Sequence, residues 1–475
     1  MTNGGYRGRG GRAENVRDIS ENQTAYIVEK FPDVGTFPVR FPGQTALPVE
    51  FLYRRRHLVT RERDVSRVEE VLGARELTVA EGAQRFEIAE VTHPVPGLAL
   101  VELASAGDDD GDPEVQAADG RALFSALLSI RALLGPGVAA PNHLVHLTPS
   151  TECPATEPDT VPAGTAPRPG VSRSRCDGRG TLVVVVDTGL VPYAAASHHW
   201  MRGVIGDPDT EVQGQTIVDR YGGHGTFIAS IVRAMAPRAE VRVPRFLKPG
   251  GAVYETELVA ALLPVLDWAP DVISLSAGTH TWLDEGLLSF QFFVPGPLRE
   301  ASGTVLVAAA GNDGRDWRFA PAEMEGVIGV GALGAPGDAL AWFSDFGDWV
   351  DVFAPGEDLV HAFPTGAYTY AETIRPNAHF TTGMARWSGT SFSTPLVSGL
   401  IAARMSGTGE SSREAARSLL RLARAQALPG VGPVLHPGQA CLCVPDRAAP
   451  GCAGTGCGGT GCVGMESCCG APAAR

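Results

Sequence analysis

A chain of 475 residues is too long for one ordinary core, and long enough for a main domain of about two to three hundred residues plus an accessory unit. With 44% hydrophobic and 19% charged residues it lies in the globular range, which excludes a chain disordered throughout, and its formal net charge of -14 argues against nucleic-acid binding. No run approaches the length of a membrane span, and the amino end, MTNGGYRGRGGRAENVRD, lacks the apolar core of a secretory signal, so the expected address is the cytoplasm, with non-classical export left open.

Residues 1–23, with Arg7, Arg9 and Arg12 set among glycines, read as a flexible arm. From 24 to 148 the periodicity reads as strand, helix, strand, strand, helix, strand. Strands are expected near 51–59, 85–92, 97–104 and 143–148, and helices near 63–73 and 119–134. The second helix carries Leu123, Phe124, Leu127, Ile130 and Leu134 on one stripe, as packing on a sheet requires. That order predicts a small α+β unit of ferredoxin-like type. The acidic run from Asp108 to Pro113 reads as a solvated loop rather than a cation site. Residues 149–178 turn to Thr, Pro, Ser, Gly and Arg without apolar period, which predicts an exposed linker.

Beyond it, Leu182–Val186 is apolar and β-branched, the signature of a strand buried on both faces of a parallel sheet. Similar runs recur at Val241–Phe246, Val272–Leu275, Val305–Ala310 and Val327–Val330, with helical stretches such as Thr256–Trp268 between several of them. The alternation predicts an α/β three-layer sandwich with a mostly parallel sheet over 179–428. Ser411–Arg424 reads as an amphipathic helix opened by Ser411 or Ser412, with Glu414 in its first turn.

The tail, 429–475, is rich in Gly and Cys and too poor in apolar residues to fold unaided. Of nine cysteines, Cys153 and Cys176 flank the linker and seven lie between Cys441 and Cys469; none is paired at the C-x-x-C spacing of common zinc modules. A disordered thiol-rich tail is expected, and a disulfide-built fold is not. His143, His146, His198 and His199 lack companions at ligand spacing and read as structural or surface histidines.

Four segments carry the parts needed for acyl transfer. VVVVDTG ends a strand with Asp187, where open α/β sheets place their ligand sites. GGHGTFIAS sets His224 before an apolar helix between glycines that permit close backbone approach. WSGTSFSTPLVSG sets Ser391 in the first turn of another helix, whose free N–H groups favour an oxyanion. VAAAGNDG lets Asn312 present its amide after a buried strand. Each segment alone is as well explained by a cap or a turn; their joint order is not.

On these residues the chain resembles the subtilisin-like serine proteases (peptidase S8), over roughly residues 180 to 405. The order Asp, His, Ser is that class's. SLSAG at 274–278, GVIGVGA at 326–332, WFSDFG at 342–347 and VFAPG at 352–356 fall in the expected succession. The resemblance implies a serine endopeptidase acting on protein or peptide substrates, with Ser391 as nucleophile, His224 as base, Asp187 orienting it and Asn312 as oxyanion donor. It also implies two edges, Ser276-Ala277-Gly278 and the Lys248–Val253 stretch with Gly251, between which an extended substrate pairs as an added strand. The first pocket, walled by Ser276–Gly278 and by Ala309, Ala310 and Gly311, is expected to admit a large apolar side chain.

By the same resemblance residues 24–148 are prodomain-like, a cis inhibitor whose linker the enzyme itself can cut; a permanent regulatory or docking domain is the competing view. No cofactor is expected, because the calcium loop that many relatives insert after the catalytic His is missing from Ile231–Val241. The sequence departs from the family pattern at Phe227, Ser230 and Leu396, and residues 365 to 387 are longer than a minimal member needs. The alternative function is a catalytically silent scaffold that binds extended peptides in the same cleft.

Overall fold

The computed structural model describes residues 24–38, 49–73, 78–79, 82–83, 86–107, 111–147, 156–301, 303–371 and 375–442. The arginine-bearing arm, Asp108–Asp110, Cys153 and the tail beyond 442 lie outside the described residues.

The amino-terminal unit is built from β1 (Val34–Pro38), β2 (Val49–Arg61), α1 (Val65–Gly73), β3 (Ile88–Val95), β4 (Leu98–Leu103), α2 (Pro113–Leu134) and β5 (Ala139–His146). β2 stands between β5 and β4, β3 flanks β4, β1 also pairs with β2, and every pairing is antiparallel. Leu123, Leu127 and Ile130 of α2 are buried against Phe51, Leu58 and Val101 of the sheet.

α2 starts six residues earlier than the expected 119, because Asp112 caps it: the carboxylate accepts from Glu114 N at 2.8 Å and Pro113 takes the first helical position. The described end of the acidic run thus serves a helix terminus. β5 also begins earlier than expected, since all eight of its residues are buried, the unpolar ones and Asn142, His143 and His146 alike, and no alternation announces it.

The stretch expected to be an exposed linker is anchored from residue 156 onward. β6 (Asp159–Thr160) pairs with a later strand; Arg168 and Val360 exchange backbone bonds at 2.9 and 2.8 Å; and Ser172 N donates to Ala234 O at 2.7 Å. Most of the segment stays exposed or half-exposed, as its polar composition requires, but it is tied to its neighbours at these points.

The second unit follows the predicted alternation. β7 (Leu182–Val186), β8 (Ile205–Gly206), β9 (Glu240–Val243), β11 (Val272–Leu275), β12 (Val305–Ala309), β13 (Val327–Leu333) and β14 (Val352–Pro355) form one parallel sheet in the order β8-β9-β7-β11-β12-β13-β14. Between β9 and β11 lies a short strand, β10 (Ala252–Tyr254), which leaves this sheet and pairs antiparallel with β5, so that the two units share one sheet across their boundary.

α3 (His224–Met235) and α4 (Glu255–Leu266) pack on different cores of the sheet. After β15 (Leu359–Ala362) come β16 (Gly366–Tyr368), β17 (Ala378–Phe380) and β18 (Met384–Trp387), which build the long insert into small sheets; β18 accepts β6 on one edge. α5 (Thr390–Thr408) is almost wholly buried, and α6 (Ser412–Ala425) opens with a full capping box between Ser411 and Glu414. A disulfide between Cys176 and Cys441, their Cα atoms 6.2 Å apart, fastens the last described residues to the start of the unit. Two cysteines separated by 265 positions gave no spacing from which to anticipate it.

Candidate active site

Parallel strands deliver side chains to the end of the sheet from which their loops emerge. Asp187 follows β7 there, fully buried, and takes Thr188 N onto Oδ1 at 2.8 Å. His224 opens α3, and its Nδ1 lies 2.8 and 2.9 Å from the two Asp187 oxygens, an N–H donor held by a carboxylate. Gly225 makes this approach possible: a Cβ there would stand 3.3 Å from Asp187 Cβ and 3.2 Å from Gly189 N. His224 Nε2 is buried and has no hydrogen-bond partner, and the imidazole sits among the rings of Trp387 and Phe392, each 5.4 Å from it centre to centre. Phe227, where relatives carry a second His, packs on the same two rings.

Ser391, beside Phe392 in the first turn of α5, is buried. Its hydroxyl donates to Ser276 O at 3.4 Å, while Ser276 Oγ donates to Ser391 O at 2.8 Å. The serine and the wall segment at 276 are therefore clasped together, and the serine hydroxyl is turned to that carbonyl rather than to His224 Nε2. Asn312, after Gly311 at φ +104°, directs Oδ1 to Thr390, accepting from its N–H at 2.8 Å and its hydroxyl at 2.9 Å. Nδ2 is thereby left as the atom the amide can offer to a ligand. The structure brings Asp187 and His224 into direct contact and binds Asn312 and Ser276 to the Thr390-Ser391 turn.

The chain's own β5 lies between the Ser276–Gly278 segment and the Lys248–Val253 stretch. Gly278 and His146 exchange backbone bonds of 3.1 Å on one side; on the other Leu147 N donates to Gly251 O at 2.9 Å and Ala252 stands opposite His146. Leu147 and Tyr221 pack on Gly251. Ala277, Ala309 and Ala310 are buried in the strand ends that form the walls. The space between those walls holds the Phe319 ring, which the sequence reading did not include: a Cβ at Gly278 would stand 2.8 Å from Phe319 Cδ1, and one at Gly311 3.0 Å from Cγ.

Further residues about the site gave no motif to read. Asp209 accepts from Thr188 Oγ1 at 2.9 Å and from Gly223 N at 2.8 Å, tying the exit of β7 to the turn before His224; burial pushes its carboxyl up to about 6. Glu211 Oε1 accepts from Gly250 N at 2.5 Å, its Oε2 is buried without a partner, and burial with the nearby Asp209 charge raises it to about 8. His143 is not alone either: Nδ1 meets Glu255 Oε1 at 2.9 Å and Nε2 accepts from Trp282 N, a pairing hidden by 112 positions of sequence. Among the described residues no group of three or more His, Cys, Asp or Glu is arranged to hold a metal ion, and no helix is long and apolar enough to cross a membrane.

A model of the subtilase family matches residues 178–433. A thermophilic serine proteinase of Bacillus sp. (strain AK1) is 32% identical over 241 residues, 47% of this chain and 51% of that protein. An extracellular serine proteinase of Thermus sp. (strain Rt41A) is 30% identical over 257 residues, 51% of this chain and 55% of that protein. Thermitase of Thermoactinomyces vulgaris is 30% identical over 235 residues, 47% of this chain and 74% of that protein. The chain spans about half the length of the first two.

Proposed function

Because the chain belongs to the subtilase family, we propose that it is a serine endopeptidase, and that Asp187, His224, Ser391 and Asn312 carry its chemistry. The observation that carries this reading is the buried Asp187–His224 pair, whose Nε2 is left without a partner beside the turn that bears Ser391. A neutral hydroxyl is a poor nucleophile, so His224 takes the Ser391 proton as Oγ attacks the peptide carbonyl, and Asp187 steadies the imidazolium without itself being protonated. The oxyanion is met by the Asn312 amide, worth about 3–4 kcal/mol. His224 returns the proton to the leaving amine, and water then releases the acyl group. The cycle calls on no metal, and chelation is expected to leave the rate unchanged.

We read residues 24–147 as a ferredoxin-like, prodomain-like unit that inhibits in cis. The strand order β5-β2-β4-β3 supports the first part, and the lodging of His146 and Leu147 between Gly278 and Gly251 supports the second. Cleavage by the enzyme itself within 149–178 completes the reading, as does a cytoplasmic address.

The competing view, a catalytically silent scaffold for extended peptides, draws on the Ser391 hydroxyl facing Ser276 O. A fluorophosphonate separates the two: labelling of the wild type that vanishes in Ser391→Ala supports the enzyme, and no labelling of the wild type, before or after limited proteolysis within 149–178, rejects it. Mass spectrometry of the same pair tests self-cleavage, which requires a new amino terminus within 149–178 in the wild type alone.

A further inference from the structure

A substrate residue whose carbonyl is attacked by Ser391 must put its side chain into the nearest gap in the protein. Here that gap opens where β11 and β12, paired through Leu275 and Ala308, run out into Ser276–Gly278 and Ala310-Gly311. Ser276 is bonded to Ser391 in both directions, so the gap begins beside the nucleophile. Both of its walls end in glycine, which leaves room for something other than a wall side chain. Phe319 takes that room.

The ring is held there firmly. The next residue, Ala320, exchanges two backbone bonds of 2.9 Å with Thr279, so the segment carrying Phe319 is docked on the wall itself. His280 packs edge-on against the ring at 5.3 Å, and His280 is fixed in turn by Asp313 at 2.8 Å and by the Arg318 carbonyl at 2.9 Å. Phe319 is 3% exposed, so no rotation into solvent is open to it without disturbing these neighbours.

We propose that Phe319 is the specificity-determining residue of the cleft, filling the subsite next to Ser391 so that cleavage follows small residues such as Ala, Gly or Thr rather than large apolar ones. This rests on the endopeptidase reading and replaces the large pocket that the small wall residues suggested. Asp345, whose backbone N donates to Gly311 O at 3.1 Å and whose Oδ2 has no partner, lies beyond the same wall. A basic side chain would have to pass the Phe319 ring to reach it.

The test uses peptidyl phosphonates, which trap an active serine covalently, differing only in an Ala-like or a Phe-like group at the position next to phosphorus. They are applied to the full-length wild type, Phe319→Ala and Phe319→Leu, with a simple fluorophosphonate alongside. Failure of the fluorophosphonate on all three chains, before and after limited proteolysis within 149–178, would sink the enzyme reading itself. With that labelling present, the wild type is expected to react at least about tenfold faster with the Ala-like reagent, and Phe319→Ala to shift the ratio at least about tenfold toward the Phe-like one. Phe319→Leu, which keeps most of the ring's packing, shifts it part of the way and covers the case in which the alanine variant does not fold. A wild type that favours the Phe-like reagent overturns the proposal, as does a ratio unmoved by either substitution.

Discussion

Asn312 Oδ1 accepts both hydrogen bonds that Thr390 can donate, at 2.8 and 2.9 Å. The residue before Ser391 thus orients the amide that, in the proposed mechanism, faces the developing oxyanion. Asn312→Ala is expected to lower kcat by about 10²–10³-fold with little change in KM, because the lost bond strengthens only in the transition state. Thr390→Val removes one of the two anchors and is expected to lower kcat by a smaller factor, again at constant KM. Steady-state kinetics on a peptide substrate decide it: a rise in KM with unchanged kcat in either variant speaks for ground-state binding instead.

Glu211 gives a pH signature. Its folded pKa of about 8 lies above the ordinary 4.5, so below pH 4.5 both folded and unfolded chains hold the proton. Between about pH 4.5 and 8 the unfolded chain ionises while the folded one stays protonated, and stability falls as pH rises. Glu211→Gln keeps an acceptor for Gly250 N and has no proton to lose. Its melting temperature is expected to gain on the wild type as pH climbs from 5 to 8; parallel curves for the two proteins would reject the assignment.

Glu157 is buried, and its Oε1 accepts from Ala371 N at 2.8 Å and from Tyr368 OH at 3.2 Å. Thr156 beside it is bonded to Trp387 and Ser388, three to four residues before Ser391. Glu157→Ala leaves a buried amide without its acceptor, and a loss of about 1–3 kcal/mol is expected. Limited proteolysis should then cut within 156–178 sooner than in the wild type. Unchanged digestion would mean that β6 pairing alone secures the segment.

What could be read in advance follows the range of the interaction. Leu182–Val186 and Val272–Leu275 were legible to the residue because strands buried on both faces are continuous apolar runs bounded by turns. The cap on α6 was legible because Ser411 and Glu414 are three apart. Asp187, His224, Ser391 and Asn312 stood out because each closes a strand or opens a helix. Phe319 did not, since a phenylalanine at the surface of a loop and one wedged between two strand ends look alike in sequence. The Asp209–Thr188 and His143–Glu255 contacts join positions 21 and 112 apart and follow from the fold alone. Residues 156–178 misled because polar chain that pairs with a neighbouring strand has the same composition as polar chain in water.

The α6 capping box offers a local check. Ser411→Ala removes the acceptor for Glu414 N and is expected to lower stability by about 1 kcal/mol without affecting the kinetics of the site. Denaturant unfolding beside the activity assay separates the two effects.

The Cys176–Cys441 bond is expected to contribute about 2–4 kcal/mol. Thermal melts of the wild type with and without reductant, beside Cys441→Ser, should show a drop of the same size for reduction and for the substitution. A wild type insensitive to reductant would mean that the thiols are unpaired in the purified protein, as a reducing cytoplasm favours.

That bond also fixes the topology of the molecule. Residues 176 through 441 become a covalent ring that contains Asp187, His224, Asn312 and Ser391. Trimming the chain on either side of the ring leaves the ring whole, and a single nick within it sets no fragment free. If the chain is the proposed protease, it could meet others like itself at high concentration and lose ends or gain nicks while the four residues stay tethered to one another.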